Sequence, residues 1–375
     1  MSELRDQAAP HWGGIVSGGL ATAMARVVKQ LAQIVIFIFG ARVLGPEDFG
    51  VFALVSVFAI MAAQIVQAGT SGFILSLKGA DADLRQVLTI ALVLSSVALC
   101  AGLLILVAGV RSHMSDYIID IALLFVVWVA LATYADAQAA LLMRDGKLFA
   151  MAMCEMATEI FGMVVALWLL HSGLGALALV WGRIAAQGLQ LMLCQAITKR
   201  FPTFAMTRAL IRDWARFSLH VLSTRLLVQV RQSLTTVLIG SLLGASAVGL
   251  FRGAQRLTGA VFELVTEPLR AIAWVLLRQT TVSHADPGSP AAQADFQRAM
   301  EWLVPVLATL AAPVFLGLSI MSGEIVAIVL GEAWREAAPL LTILAIAAVP
   351  NPVGLLGAAL GTDGTHQVFP GGVLV

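Results

Sequence analysis

The chain has 375 residues, of which 59% are hydrophobic and only 12% charged, with a formal net charge of +1 and a mean hydropathy of +0.92. A soluble domain carries roughly 25% charged residues, so this composition excludes one and defines a polytopic membrane protein of the all-α class. No long run of either charge is present, which argues against a nucleic-acid partner, and Cys100, Cys154 and Cys194 sit singly in apolar segments without metal-ligand spacing.

A helix needs about 20 apolar residues to cross the hydrocarbon core. Ten segments qualify as predicted spans: 14–41, 48–77, 86–110, 118–143, 148–171, 174–198, 214–241, 246–277, 300–322 and 335–361. The first is long and contains charge, unlike a cleaved signal peptide, and is expected to insert as a span. Gly45-Pro46-Glu47-Asp48, Asp145-Gly146 and Ser172-Gly173 read as turns. Alternate loops place twelve Lys and Arg, from Arg5 to Arg298, on one side and only Arg42, Arg111 and Arg335 on the other. The positive-inside rule makes the rich side cytoplasmic and puts the N-terminus there. The most basic loop, 199–213, then divides an N-terminal bundle of spans one to six (1–198) from a C-terminal bundle of spans seven to ten (214–375). Its Lys and Arg are expected to rest on anionic headgroups, and Trp12, Tyr117, Trp214, Trp302 and Trp334 read as interfacial anchors.

The first span carries Arg26, Lys29, Gln30 and Gln33 at i, i+3, i+4 and i+7, one polar face of a helix. The pattern returns 199 residues later: Arg26 aligns with Arg225, Gln30 with Gln229, Gln33 with Gln232, Leu44-Gly45 with Leu243-Gly244, Gly50 with Gly249 and Phe52 with Phe251. Six spans separate the copies, so they run in the same direction as parallel repeats. Asp145-Gly146 has an echo in Asp363-Gly364, after which only Thr365 to Val375 remain. The expectation is two pseudo-symmetric six-helix bundles with the last two helices of the second missing.

Charge at mid-bilayer costs on the order of 3 kcal/mol per residue on insertion scales, so these residues should face a cavity or a partner. Span eight adds Arg252, Arg256, Glu263, Glu267 and Arg270, span two adds Gln64, Gln67 and Ser71, and span six adds Arg183, Gln187 and Gln190. The stripes suggest a water-filled cationic cleft between the bundles that favours phosphate oxygens, which guanidinium groups bind in a bidentate fork. For Arg256 with Glu263, and Glu267 with Arg270, ion pairs that only fix packing are the alternative. Lys29 and Arg270 are also placed to snorkel towards a helix end. Asp136, with Glu155 and Glu159 at i and i+4, forms a separate acidic group. Two roles are open to it: binding a coupling proton or cation, as Glu263 could also do, or pairing with Arg or Lys. No nucleophile elbow, phosphate-binding glycine loop or zinc spacing occurs, so neither an enzyme nor a cofactor or metal is expected.

Residues Gly40-Ala-Arg-Val-Leu-Gly-Pro-Glu-Asp-Phe-Gly-Val-Phe52 resemble the signature of the polysaccharide transporter family, the O-antigen and exopolysaccharide flippases. These belong to the multidrug, oligosaccharidyl-lipid and polysaccharide exporter superfamily. Gly331-Glu-Ala-Trp-Arg-Glu-Ala-Ala-Pro-Leu-Leu341 is similar to a second, weaker hallmark. The resemblance implies two six-helix bundles arranged as an inverted V in the bacterial inner membrane. It also implies a basic cavity that receives an undecaprenyl-pyrophosphate-linked oligosaccharide, and alternating access that delivers the glycan for O-antigen or exopolysaccharide assembly. Membrane lipids and a glycan polymerase machinery are the implied partners, and Arg26, Arg225, Arg252 and Arg256 stand where cationic cavity residues are expected. The alternatives are a multidrug exporter, a membrane glycan polymerase or ligase, and a shortened remnant that does not transport.

Overall fold

A computed structural model describes residues 12–350 apart from 68, 78–80, 111–114, 204–205 and 283–289. Ten α-helices and one short 3-10 helix make up its regular structure. They are α1 Trp12–Gln67, α2 Thr70–Ser76, α3 Asp81–Val110, α4 Asp116–Arg144, α5 Leu148–His171, α6 Ala176–Thr198, α7 Arg208–Val282, α8 Pro290–Ile320, α9 Ser322–Val329, the 3-10 helix Glu332–Ala337, and α10 Ala338–Ala348. Seven helices among the described residues are long and apolar enough to cross a membrane.

Seven helices hold nine of the ten predicted spans because α1 and α7 are each two spans joined end to end. Each is broken at one glycine, Gly45 (φ 71, ψ 175) and Gly244 (φ 84, ψ −179). Glycine has no Cβ to oppose a positive φ, and Pro46 sits where its fixed φ suits the first turn of the next helix and its missing N–H costs nothing. These glycines are aligned partners in the sequence repeat, so the two copies bend at the same residue. The predicted Gly45–Asp48 turn is therefore a one-residue break, not a loop. Span two also ends earlier than predicted: α1 stops at Gln67, and left-handed Gly69 (φ 72) turns the chain into α2. Helix α7 begins inside the predicted connector and runs past the predicted end of span eight to Val282, and α8 starts at Pro290, ahead of the predicted start of span nine. Of the tenth span residues 335–350 are described, the end of the 3-10 helix followed by α10; its remainder, the Asp363-Gly364 echo, and the side chains of Trp12, Glu267 and Arg270 lie outside the described residues.

By contacts the chain divides into two compact units, Met1–Gly249 and Leu250–Val375. In the first, the longest helix interfaces are lined by small residues, which allow the close approach that replaces the hydrophobic effect inside a membrane. A Cβ on Gly162 of α5 would stand 2.7 Å from Ala186 Cβ of α6, and one on Gly182 would stand 2.6 Å from Ala166 Cβ. Ala21 and Ala25 of α1 are buried with Ala152 of α5. A larger cluster of Phe73, Ile74, Leu84, Val87, Leu88, Ala91, Ala137, Ala140 and Leu141 joins α2, α3 and α4, with Trp214 and Phe217 of α7 packed on it.

The first arm of α7 thus belongs to the first unit, although the sequence repeat assigns it to the second copy. Its docking face is one stripe: Trp214 Nε1 donates to Thr70 Oγ1 at 3.2 Å, Phe217 stacks on Phe73 at 5.6 Å, and Val221 closes on Gly69. Just beyond the two breaks the chain crosses itself. A Cβ on Gly50 would overlap the Ala245 carbonyl, and a Cβ on Gly249 would overlap the Pro46 carbonyl. The crossing is reciprocal in the repeat, since Gly50 and Gly249, like Pro46 and Ala245, are 199 residues apart.

The connector is not left to the headgroups. Arg200 Nε lies 2.8 Å from Asp81 Oδ1 of α3, and its Nη1 lies 2.8 Å from Asp145 Oδ2 after α4. Burial lowers the Arg200 pKa, but the Asp145 and Asp81 carboxylates outweigh it and hold the group above an ordinary arginine. The backbone follows the side chain: Thr203 N donates to Arg85 O at 3.4 Å, Thr89 Oγ1 donates to Thr203 O at 2.6 Å, and Gln195 Nε2 donates to Arg200 O at 2.9 Å. Segment 199–203 therefore straps the ends of α3, α4 and α6, and that end of the bundle is called the connector end below.

In the second unit the weaker hallmark is a packing device. Trp334 is fully buried, and a Cβ on Gly253 would stand 2.6 Å from its ring. Two of the proposed interfacial anchors are thereby corrected: Trp334 is core, and Trp214 is a bonded helix contact. Tyr117 Oη accepts a hydrogen bond from Ala176 N at 3.2 Å and so ties α4 to the start of α6, while Trp302 is exposed.

Candidate functional site

The Ala25–Ala152 contact between α1 and α5 sets the register of the charges that follow it. One turn beyond Ala25 comes Lys29, and three residues beyond Ala152 comes Glu155. Lys29 Nζ lies 3.2 Å from Glu155 Oε1 and 3.4 Å from Glu159 Oε1. Glu155 and Glu159 are neighbours at i and i+4, so both reach the same ammonium group.

A third carboxylate joins from α4. Asp136 Oδ2 accepts a hydrogen bond of 2.7 Å from Gln67 Nε2, and Ser71 Oγ donates to the Asp136 carbonyl at 3.4 Å. The positive charges of Lys29 and Arg225 both act on this carboxylate. Arg225 is delivered by the stripe that docks α7, since Trp214, Phe217, Val221 and Arg225 follow one another at spacings of 3, 4 and 4 residues. Four elements, α1, α4, α5 and α7, thus bring two cations and three carboxylates together inside membrane-spanning helices. The acids and Lys29 lie in the half of the bundle nearer the connector end.

Arg26 and Arg225 are exposed, as is Gln232, while Gln33 and Gln229 are half-buried. Gln229 Nε2 donates to Ser233 Oγ at 3.0 Å. Gln30 Nε2 and Gln64 Oε1 are buried and have no hydrogen-bond partner among the described residues. Leaving a buried donor or acceptor unmatched costs about 1–3 kcal/mol, so water or a ligand reaching either amide would be favoured there. In the second unit Arg252 Nη1 donates to Gln255 Oε1 at 3.0 Å, Arg256 is half-buried and Glu263 is exposed.

The first-span stripe read as one cationic face is thus split in the fold. Lys29 turns to acids on α5, while Arg26 stays exposed. Arg225 stands near Asp136, which its own helix gave no reason to expect, because the acid lies on α4. The arrangement can bind oxyanions at its guanidinium groups and exchange a proton or cation at its carboxylates. Sequence reasoning missed the Arg200 strap, whose only signal was an arginine beginning a loop opposite Asp145-Gly146, and the Gln138 network. Buried Gln138 Oε1 accepts from Thr198 Oγ1 at 2.9 Å and its Nε2 donates to Tyr134 Oη at 3.1 Å, linking α4 to α6.

The all-helical fold, with charged groups held inside its spans, is that of a multi-pass membrane protein. Among solved structures it is similar to a superfamily transporter from Pyrococcus furiosus (TM-score 0.60, 16% identity, 93% of this chain and 80% of that one). It is also similar to the lipid II flippase MurJ in an inward closed conformation (TM-score 0.65, 12% identity, 89% of this chain and 73% of that one). Both likenesses concern fold. The polysaccharide biosynthesis protein family matches residues 40–339, and the chain belongs to that family. A curated relative is the teichuronic acid biosynthesis protein TuaB of Bacillus subtilis, 25% identical over 205 residues, 53% of this chain and 41% of TuaB. The chain thus spans less than half the length of that relative.

Proposed function

We propose that the chain carries an undecaprenyl-pyrophosphate-linked oligosaccharide across the bacterial inner membrane, for O-antigen or exopolysaccharide assembly, by alternating access with its N-terminus in the cytoplasm. The observation that carries the reading is the group of Lys29, Arg225 and three carboxylates within spanning helices. Ionised groups at that depth are expensive unless they serve a ligand or an ion. The exposed guanidiniums of Arg26 and Arg225 bind the pyrophosphate oxygens, with Gln30, Gln33, Gln229 and Gln232 as neutral donors beside them. Arg252 and Arg256 have the same role in the second unit. Lys29 pairs with Glu155 and Glu159, and a coupling proton or cation competes with it there and at Asp136; Glu263 is the corresponding acid of the second unit. A glycan polymerase consumes the delivered product.

The test is transport of a fluorescent undecaprenyl-pyrophosphate glycan in proteoliposomes. The double substitution R26Q/R225Q should slow transport tenfold or more while leaving the folded fraction intact. Unchanged transport would sink the reading. Three carboxylates in one group favour, as a second reading, an exporter of organic cations, which predicts cationic-dye efflux that the arginine changes leave intact and E155Q/E159Q abolishes.

A further inference from the structure

Arg183 stands apart from the Lys29 group, in the half of the bundle away from the connector end. It follows Gly182, whose missing side chain seats α6 on α5, and the helical rotation of about 100° per residue carries Arg183 off that interface. There its guanidinium carbon lies 5.9 Å from the centre of the Phe52 ring of α1 and 5.7 Å from that of Trp128 of α4, over both rings. The rings are themselves held. Phe52 packs on Phe125 at 5.8 Å, and Phe125 meets Trp128 edge-on at 5.9 Å. Three helices therefore hold the position of one guanidinium.

A cation–π contact does not consume the N–H donors of a guanidinium, so an arginine held in place between two rings is a positioned donor for an oxyanion. Arg183 is nevertheless exposed, in a span where a charge facing lipid is unfavourable, so its face belongs to a watered surface. Gln187 and Gln190 continue that face at i+4 and i+7, and Gln187 Nε2 donates to Gln190 Oε1 at 3.0 Å. Neutral amides beside a fixed cation suit hydroxyl groups beside an acid.

We propose that Arg183, clamped by Phe52 and Trp128, forms an oxyanion-binding subsite for the glycan-bearing ligand, with Gln187 and Gln190 receiving sugar hydroxyls. The inference rests on the transport reading above. The oxyanion is either the lipid pyrophosphate or the carboxylate of an acidic sugar. Two probes separate these sources: farnesyl diphosphate and digalacturonate, titrated against the full chain in lipid nanodiscs, with maltose as the neutral control. R183Q should weaken binding of the relevant probe at least tenfold, R183K should restore part of it, and W128L should fall between, because the fork loses its clamp. Loss confined to farnesyl diphosphate assigns the pyrophosphate, and loss confined to digalacturonate assigns the sugar acid. A lower melting temperature with unchanged affinity for both probes would make Arg183 a helix anchor and overturn the proposal. If R26Q/R225Q abolishes binding while R183Q does not, this inference fails and the transport reading stands. If the wild-type chain binds neither anion, both fail.

Discussion

Adding a single methyl group at Gly249 or Gly50 tests the crossing of the two repeats. In Gly249→Ala the new carbon would overlap the Pro46 carbonyl, standing 2.8 Å from its carbon and 3.2 Å from Gly50 N; in Gly50→Ala it would overlap the Ala245 carbonyl, 2.6 Å from its carbon. The obstacles are backbone, which cannot rotate aside as a side chain can, so the segments must part by roughly 1 Å in an interior that is otherwise close-packed. Overpacking costs about 1–3 kcal/mol, and a clash with backbone belongs at the upper end. Alanine recovers about 0.5–1 kcal/mol of helix propensity, leaving a net loss of about 2 kcal/mol. Gly188→Ala is the control, since a Cβ there meets nothing within 4 Å, and it should be neutral or stabilising. Equilibrium unfolding in mixed micelles reads all three. Because one parting of the segments accommodates both methyls, the double variant should cost less than the sum of the singles. Either single variant proving as stable as Gly188→Ala would refute the reasoning.

Further consequences can be measured directly. Lys29→Met leaves Glu155 and Glu159 facing each other without their cation; with the Lys29 side chain 42% exposed, the loss should be about 1 kcal/mol. A double-mutant cycle with E155Q should return a coupling of that sign. Arg200→Ala releases the strap from Asp81 and Asp145, so proteolysis within 199–207 should quicken several-fold with little change in the melting of the remainder; an unchanged cleavage rate would count against the strap. Trp334→Ala empties the space over Gly253 and should cost about 3–5 kcal/mol, read as loss of folded protein in detergent.

Much of the architecture was legible in the chain itself. The nine described spans and the matching breaks of the repeat follow from apolar runs and from the alignment of Arg26 with Arg225, since a membrane leaves a chain few ways to satisfy its backbone other than helices. The turns at Asp145-Gly146 and Ser172-Gly173 were legible for the same local reason. Gly45 was legible as part of a turn and Gly244 as lying between two spans, but not that each break is a single residue, because only the backbone angle shows how far the helix is interrupted. Trp334 read as an interfacial anchor since an indole at a helix start suits both a lipid boundary and a core. What decides between them is Gly253, 81 residues away.

Composition, period and repeat by themselves determined that this is a multi-pass helical membrane protein whose sequence holds two copies of one pattern, because those properties are summed along the chain. Only the tertiary structure decided which charges meet. Lys29 turns to Glu155 and Glu159 because small residues at Ala25 and Ala152 let two helices approach. Arg225 comes to Asp136 because a stripe headed by Trp214 docks α7 on α2. Arg183 is clamped because three helices bring two aromatic rings to it. Helical spacing says which residues share a face, but the partner of that face is set by packing between segments far apart in sequence.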